Sequence, residues 1–400
     1  MSLSDLGTYG ILVTSVALSV QFLGMEFYVF NTREILGSDQ VKRTTLVRDQ
    51  LAFHGLAYLL FLPVISILFF INILPWSLIV WFYILLIVEH LSMEICRLLT
   101  VIGRPVLANF LEFIRTGSWV AIAIVVGLQI PEYRSIQAIV ALWILGGLLS
   151  LLIGGKPLLQ WDWSATLKTR LDLDWIRKGI SVSMPFFVSA AALNTIYFSD
   201  RFIIQHFRGI EQVGLYTFHQ SVAGLVSTAI VGGIIVIISP KLVRAFLIRD
   251  MPQYTQELKT LVFSIISGSI LISLFLILVF PFATDFMKNP QFFETRSTFI
   301  VLLLSSIAHN LSFIPHYVLY ARNFDRDLLW ATLSGAVVNI GLNLLWIPKF
   351  GILGAAWATT IAFTVLLGAK LGLVKIRSKQ SNWTPPAPKT DIEKSHSHDV

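Results

Sequence analysis

Eleven apolar segments, each long enough to cross a lipid bilayer, dominate the sequence. A membrane-spanning helix needs about 20 mostly apolar residues, because the hydrocarbon layer is about 30 Å thick and each helical residue adds about 1.5 Å. Backbone polar groups in lipid must be satisfied within the segment, so the sequence predicts an all-α, polytopic membrane protein. The predicted segments are 7–29, 52–74, 76–98, 105–130, 136–154, 180–200, 212–239, 259–282, 298–321, 327–347 and 352–374.

Composition agrees with a protein surface that faces lipid. Only 13% of the residues are charged and 55% are hydrophobic, and the mean hydropathy is +0.75. A soluble domain has about 25% charged residues. The single cysteine, Cys96, excludes internal disulfides and a cysteine-based metal site. The sequence also has no phosphate-binding glycine loop and no zinc motif, so we expect neither a bound metal nor a cofactor.

The distribution of basic residues predicts the orientation in the membrane. If the connector 30–50 is cytoplasmic, 23 of the 30 Lys and Arg residues fall on the cytoplasmic side and six on the opposite side, with Arg115 inside a segment. This is the positive-inside pattern, which accounts for the net charge of +7 without a nucleic acid partner. We expect a multi-pass protein of the bacterial inner membrane with a cytoplasmic C-terminus.

An internal repeat relates the two halves of the chain. The Gly-x-Tyr sequence at Gly7 and Tyr9 opens the first segment, and the same pattern at Gly214 and Tyr216 opens the seventh. A complete apolar segment precedes the second copy, whereas only a few residues precede the first. The five-against-six count of segments predicts that the native protein begins one helix further upstream.

This repeat predicts two helical lobes and a linker. The linker contains Trp161, Trp163 and Trp175 among polar residues, and either a helix on the cytoplasmic membrane face or an ordinary connector fits it. The tail contains several prolines and polar residues, so we expect it to be disordered, and its His396 and His398 to be solvated. The predicted regions are 1–155, 156–178, 179–375 and 376–400.

Polar residues inside the third segment are the first candidates for function, because ionisable groups are costly in lipid and usually face a cavity. His90, Glu94 and Arg97 have the spacing of one helical face, and Glu89 adjoins them. We expect Glu94 and His90 to take part in coupling to a proton or sodium ion. A permanently paired, structural carboxylate is the alternative.

The fourth segment contains a matching set. Asn109, Glu112 and Arg115 recur every three residues, and Glu112 lies as far from the turn at Gly103 as Glu94 does. Arg115 lies about 18 Å from that turn, near the middle of a bilayer of about 30 Å. We expect a polar cavity in which Arg115 and Asn109 bind substrate and Glu112 takes part in ion coupling. A structural ion pair between Glu112 and Arg115 is the alternative.

The second half has fewer charges. Pro315 is expected to kink the ninth segment. We predict substrate-binding roles for the polar residues inside these segments, although hydrogen bonding between helices explains each of them equally well. These residues are His219, Gln220, His309, Asn310, Asn339 and Asn343.

Several sequence patterns resemble the polysaccharide flippases of the MATE-like exporter superfamily. The Asn-rich pattern, the Ile-Pro pair and the Gly-Ala-Ala-x-Ala-Thr pattern in the last third are similar to late helices of that family. The Asp-Arg pair and both copies of Gly-x-Tyr resemble earlier helices. The matching stretches are 339–343, 347–360, 200–204, 213–216 and 6–10.

The resemblance implies a twelve-helix transporter of two bundles that flips undecaprenyl-diphosphate-linked oligosaccharides, with polysaccharide assembly proteins as possible partners. Family members often have cationic cavities, which Arg115 would fit. A multidrug or cation antiporter is an alternative, and it would favour a cavity of net negative charge. An integral-membrane polysaccharide polymerase or glycosyltransferase is a second alternative, but no catalytic motif or long external loop supports an enzyme. A structural scaffold would leave the buried charges unexplained.

Overall fold

The computed structural model of the chain describes residues 2–286 and 289–379, and the regular structure within them is helical. Two segments are π-helical, Ile114–Ser118 and Val231–Ile235, and short 3-10 turns lie at Trp76–Leu78, Pro131–Tyr133 and Lys156–Gln160. The α-helices are α1 (Leu3–Gly24), α2 (Phe27–Leu36), α3 (Gln40–Ile65), α4 (Ile67–Phe70), α5 (Ile79–Val101), α6 (Pro105–Phe113), α7 (Trp119–Gln129), α8 (Ile136–Gly155), α9 (Trp163–Leu167), α10 (Leu173–Arg208), α11 (Ile210–Ile230), α12 (Val236–Leu247), α13 (Met251–Phe286), α14 (Gln291–Glu294), α15 (Arg296–Leu311), α16 (Phe313–Tyr320) and α17 (Asp325–Arg377).

Ten helical stretches in the described part of the chain are long and apolar enough to cross a membrane. The last stretch, α17, has 53 residues and consists of two helices merged across a kink at Gly351. The backbone there has φ 59° and ψ −139°, a conformation that glycine adopts without steric cost. With α17 counted as two helices, the described residues contain eleven helical stretches that could cross a membrane, and the predicted all-α membrane fold is confirmed.

Many helices extend beyond their predicted apolar segments. Helix α3 begins at Gln40, where the side chain of Asp39 caps it by accepting a hydrogen bond from the Lys42 backbone N–H at 2.9 Å. The first eleven residues of this helix fall in the predicted connector 30–50, because hydropathy detects only the apolar middle of a helix. Polar first turns continue the same helix when a capping residue stabilises its start.

The linker and one predicted kink also have defined structures. A 3-10 turn, the five-residue helix α9 and a short connection join α8 to α10, so the linker contains a helix of little more than one turn. Near Pro315 the helix breaks at Ser312, between α15 and α16. Pro315 cannot donate the hydrogen bond that would continue the helix. The predicted tail lies outside the described residues from 380 onward, including His396 and His398.

The chain divides into two compact units. The first unit contains the residues up to His219 and Ile340–Ala355, and the second contains Gln220–Asn339 and the chain from Ala356 onward. The boundaries predicted for the two lobes remain a prediction. In the first unit, α5 packs closely against α8 because Gly147 and Gly154 let the side chains of Val88 and Ile95 approach the α8 backbone.

The second unit is built around α13, which packs against α12 and α15. Phe280 of α13 stacks on Phe299 of α15, with ring centroids 4.1 Å apart. A buried apolar cluster joins α11, α12, α13 and the region after α16; it includes Ile230, Leu242, Phe246, Leu261, Ile265 and Ala321.

Candidate functional site

The polar residues predicted on the α5–α6 hairpin form two networks on different faces of α5. The turn between these helices uses Gly103, whose φ of 83° suits glycine. Glu89 and Glu94 are five residues apart on α5, about 140° around the helix. Glu89 therefore joins Arg115, whereas Glu94 joins polar residues of α2 and α3. The sequence predicted that these polar residues line one cavity, whereas in the structure they form two separate sets of hydrogen bonds.

The first set, called the Arg115 network, consists of Arg115, Glu89, Glu112 and Trp143. The guanidinium of Arg115 donates to Glu112 through Nε at 3.3 Å and Nη2 at 2.5 Å, and through Nη1 to Glu89. The indole N–H of Trp143 donates to the second oxygen of Glu89 at 3.0 Å. The network connects α5, α6 and α8 by charge-assisted hydrogen bonds, which are roughly twice as strong as neutral ones.

Arg115 lies in the π-helical segment Ile114–Ser118. A methyl group at Gly146 of α8 would lie 2.9 Å from the backbone oxygen of Ile114, so glycine allows α8 to contact this segment directly. A π-helical turn inserted in an α-helix is frequent at functional sites. The local backbone therefore moves Arg115 to a position that a regular helix would not give it.

The Arg115 network has two carboxylates for one guanidinium. Arg115 is buried, whereas 46% of the Glu112 side chain is exposed. Asn109, one helical turn before Glu112, is also exposed. The Glu112–Arg115 ion pair considered in the sequence analysis is formed, with Glu89 as a second partner. A substrate-binding role for Arg115 or Asn109 remains a prediction.

The second set, called the Glu94 network, connects α5 to α2 and α3. Glu94 accepts from Arg97 at 2.6 Å and from the Gln50 amide at 2.7 Å, and Gln50 accepts from Asn31. The Arg97 guanidinium lies over the ring of Tyr28, 3.7 Å from its centroid. Opposite charges balance here, because one carboxylate faces one guanidinium.

A cavity of about 270 Å³ borders the Glu94 network, and its lining includes Gln50, His54 and Glu94. His90 is buried beside it, with Nδ1 2.6 Å from the hydroxyl of Tyr58 and its ring centroid 4.6 Å from that of His54. Within the described residues, both ring nitrogens of His54 are buried without a hydrogen bond, and no group of three potential ligands could hold a metal. The rest of the cavity lining is apolar and includes Leu51 and Leu98, so the polar groups of the Glu94 network lie at its edge.

The candidates in the second half of the chain lie mostly between helices. Asn310 donates to Ser269 at 3.1 Å, and Asn339 donates to Thr359 at 3.5 Å. His309 packs between the rings of Phe313 and Phe363. For Asn310 and Asn339, the structure thus has the hydrogen bonds that would be expected if these residues join helices and do not bind substrate. The remaining candidates are placed on α11 and α17; they are His219, Gln220 and Asn343.

Sequence reasoning missed the buried pair Arg48 and Asp49, because it counted Arg48 as a connector charge. Arg48 donates to Asp49 at 2.5 Å and to the linker carbonyls of Thr166 and Arg170 at 2.6 and 3.0 Å. Asp49 accepts in turn from the backbone N–H of Asp172 at 3.4 Å. This pair fixes the linker to α3.

Lys370 was also missed, because it was counted with the cytoplasmic tail. It lies within α17, seven residues after buried Phe363 and therefore on the same helical face. It is 5% exposed, and its ammonium lies 3.5 Å from both the backbone oxygen and the hydroxyl of Ser312. Among the described residues it forms no ion pair with a carboxylate.

The two repeat-related helices α1 and α11 cross at their first turns. A methyl group on Gly7 would lie 2.0 Å from the backbone oxygen of Ile210, and one on Gly214 would lie 2.2 Å from that of Leu3. The alignment that pairs the two glycines also pairs Leu3 with Ile210. The contacts are thus reciprocal, as expected for a two-fold relation between the repeats.

This architecture matches a known transporter. A search of solved structures finds an inward-facing conformation of a multidrug resistance MATE family transporter of the MOP superfamily, with a TM-score of 0.77 over 95% of this chain and 92% of that one. The chain has the MATE fold. Sequence identity in the match is 13%, so the likeness concerns the fold alone. No protein-family model matches the chain, and neither does any curated protein sequence.

Proposed function

We propose that the chain is a transporter that flips undecaprenyl-diphosphate-linked oligosaccharide across the bacterial inner membrane, by alternating access between its repeats. The observation that carries the proposal is the Arg115 network within a MATE fold. Ionisable groups inside membrane segments commonly belong to substrate or ion pathways. The flippase-like sequence patterns at 339–343 and 347–360 support a lipid-linked oligosaccharide as the substrate.

In this proposal Arg115 contacts the diphosphate or an acidic sugar of the substrate. A guanidinium offers a planar set of donors that matches phosphate oxygens, and it stays charged at any relevant pH. Glu112, the more exposed of its two partners, would give way to the incoming anion and re-pair with Arg115 after release. Contacts from Asn109, His219 and His309 to the oligosaccharide belong to the same proposal.

Flipping of a fluorescent lipid-linked oligosaccharide in proteoliposomes tests the proposal. We expect Arg115→Ala to abolish flipping and Arg115→Lys to retain part of it, because lysine keeps the charge but lacks the bidentate geometry. The exposed Arg33→Ala, which removes the same charge, is the matched control and should flip normally. Flipping by Arg115→Ala at the wild-type rate would reject Arg115 as a substrate contact.

Ion coupling is proposed for Glu94, Glu112 and His90, with a proton or sodium as the coupling ion. Glu94 borders the 270 Å³ cavity and Glu112 is partly exposed, so both carboxylates have a route to an ion. We expect Glu94→Gln or Glu112→Gln to transport without dependence on the ion gradient. Unchanged gradient dependence in either variant removes that residue from the coupling mechanism.

A multidrug or cation antiporter is the second candidate, supported by the two carboxylates that face one guanidinium in the Arg115 network. The matched structure is itself described as a multidrug resistance transporter. Efflux of a cationic dye from inverted vesicles discriminates between the two functions. Dye efflux that Glu112→Gln abolishes, without any flipping of lipid-linked oligosaccharide, would favour the antiporter.

A further inference from the structure

Arg201 of α10 is a buried cation whose hydrogen-bonding capacity is almost unused. It is 7% exposed, and its Nη1 donates to the backbone oxygen of Tyr197 at 3.3 Å. Its Nε–H is buried without an acceptor, and no carboxylate of the described residues lies within 4 Å of the guanidinium. One of the five N–H donors of an arginine is thus engaged.

The adjacent carboxylate of Asp200 does not fill these donors. One oxygen of Asp200 accepts from the backbone N–H of Arg201 at 2.8 Å, and the other accepts from the hydroxyl of Tyr216 at 2.5 Å. Asp200 therefore supplies a nearby negative charge without a direct bond to the guanidinium. A buried charged donor without hydrogen-bond acceptors destabilises the folded protein, so this site favours an acceptor from outside the chain.

The site lies beside the crossing of α1 and α11. Tyr9 of α1 is within electrostatic range of the Arg201 charge, and Tyr216 of α11 holds Asp200. Tyr9 and Tyr216 are each about 9 Å from the first residue of their helices, and Arg201 is about 10 Å from the last residue of α10. The tyrosines are the repeat-related pair of the two Gly-x-Tyr motifs, so both copies of the repeat contribute to this site.

We propose that Arg201 anchors an oxyanion site for a phosphate or diphosphate group at the α1–α11 crossing. The unused donors on Nε and Nη2 form the fork that binds two oxygens of a phosphate in parallel. Because Arg201 is enclosed, the anion enters when α1 and α11 separate. This assignment rests on the substrate of the proposed flippase. In that cycle Arg201 receives the substrate diphosphate near the helix ends that the predicted topology places on the side opposite the cytoplasm.

Binding of inorganic pyrophosphate to the purified full-length chain, measured by calorimetry, tests the site directly. Arg201→Gln should weaken binding by about tenfold or more, since a charge-assisted, bidentate contact is lost. Arg201→Lys should bind with intermediate affinity. The exposed Arg33→Gln carries the same charge change and should bind as the wild type does. Equal affinity of Arg201→Gln and the wild type would overturn the proposal.

The source of the phosphate is distinguished by a second ligand, polyprenyl diphosphate in lipid nanodiscs. Arg201-dependent binding of both ligands means that the phosphate group alone is recognised. Arg201-dependent binding of the lipid diphosphate alone still supports the site and assigns it to a lipid headgroup. If Arg201→Gln affects neither ligand, the site does not exist.

A measurement on the wild-type chain covers the case in which Arg201→Gln does not fold. Phenylglyoxal modifies accessible arginines, so without pyrophosphate it should modify Arg201 whenever α1 and α11 separate, and peptide mass spectrometry reports the modification of each arginine. Pyrophosphate should protect Arg201 and leave Arg33 equally reactive. Modification of Arg201 at the same rate with and without pyrophosphate contradicts the proposal.

The binding and flipping experiments distinguish an error in this site from an error in the proposed function. Loss of pyrophosphate binding in Arg201→Gln, with no flipping by the wild type, would retain the site and reject the flippase. Wild-type flipping together with Arg201-independent binding would retain the flippase and reject the site.

Discussion

Two sets of buried cations in the molecule are neutralised differently. Arg115 is balanced by two carboxylates and Arg48 by Asp49, so these charges are fixed to one another within the chain. Lys370 of α17 is equally buried, but its contacts are the neutral oxygens of Ser312, and Arg201 of α10 likewise contacts a backbone oxygen. The titratable neighbours within electrostatic range of Lys370 are His309 and His316.

A buried cation with a carboxylate partner and one without should respond differently to substitution. A satisfied ion pair such as Arg115 with Glu89 and Glu112 costs stability when one partner is removed, because the other charge is left alone. A buried cation without a carboxylate costs stability while it is present. Removing the paired cation should therefore lower the stability of the protein, whereas removing the cation without a carboxylate should raise it, whatever their roles in transport.

The largest expected effect is that of Arg115→Ala, which leaves Glu89 and Glu112 without their counter-charge. We expect the free energy of unfolding to fall by about 3–5 kcal/mol, in addition to the loss of flipping. Thermal unfolding of the detergent-purified protein measures this. The comparison variant is Arg97→Ala, which removes a more exposed guanidinium and leaves one carboxylate, Glu94, that still accepts from Gln50, so a smaller loss is expected. Equal losses in both variants would contradict the greater cost of leaving two carboxylates without their counter-charge.

An effect of intermediate size and opposite sign is expected for Lys370→Met. Methionine has a similar volume and length, and it removes an ammonium that faces no carboxylate among the described residues. Stability should stay equal or rise by about 1–2 kcal/mol. The same unfolding assay measures it, and a simultaneous loss of transport would identify Lys370 as a functional residue. A destabilisation as large as that of Arg115→Ala would mean that Lys370 is ion-paired, and the comparison between Arg115 and Lys370 would fail.

The smallest effect is expected for a neutral contact of the second unit. Asn310→Ala removes the hydrogen bond to Ser269, which should cost about 0.6 kcal/mol, the average for such bonds in membrane proteins. Ser267→Ala on α13, the helix of Ser269, is the control, because Ser267 is partly exposed and bonds to the backbone of its own helix. A cost of several kcal/mol for Asn310→Ala would show that Asn310 holds more than a single neutral bond.

The sequence predicted the long apolar helices and the polar hairpin, because hydropathy and helical spacing are local properties. It did not predict the separation of Glu89 from Glu94, which depends on the partners that packing brings to each face. Trp143 and Gln50 are far from the hairpin in sequence, and no spacing rule connects them to it. Their contacts are visible in the structure alone.

The positive-inside count of basic residues caused three buried cations to be missed. The positive-inside rule treats each Lys or Arg as a connector charge, so Arg48, Arg201 and Lys370 were assigned to the membrane surface. A usable signal existed for Lys370, since it continues the buried face of Phe363 and Leu366. For Arg201 no local signal exists, because Asp200 beside it suggests a pair that the structure does not form.

The crossing of α1 and α11 has the form of an isologous interface, in which residue i of one copy meets residue j of the other and j meets i. One pair of equivalent positions differs: Gly10 of α1 makes room for Thr217 of α11, whose hydroxyl would lie 2.2 Å from a methyl group at Gly10. The space at Gly10 thus accommodates the side chain of Thr217. Exchanging the two residues should preserve the close packing of α1 and α11, whereas threonine at both positions would hold the helices apart.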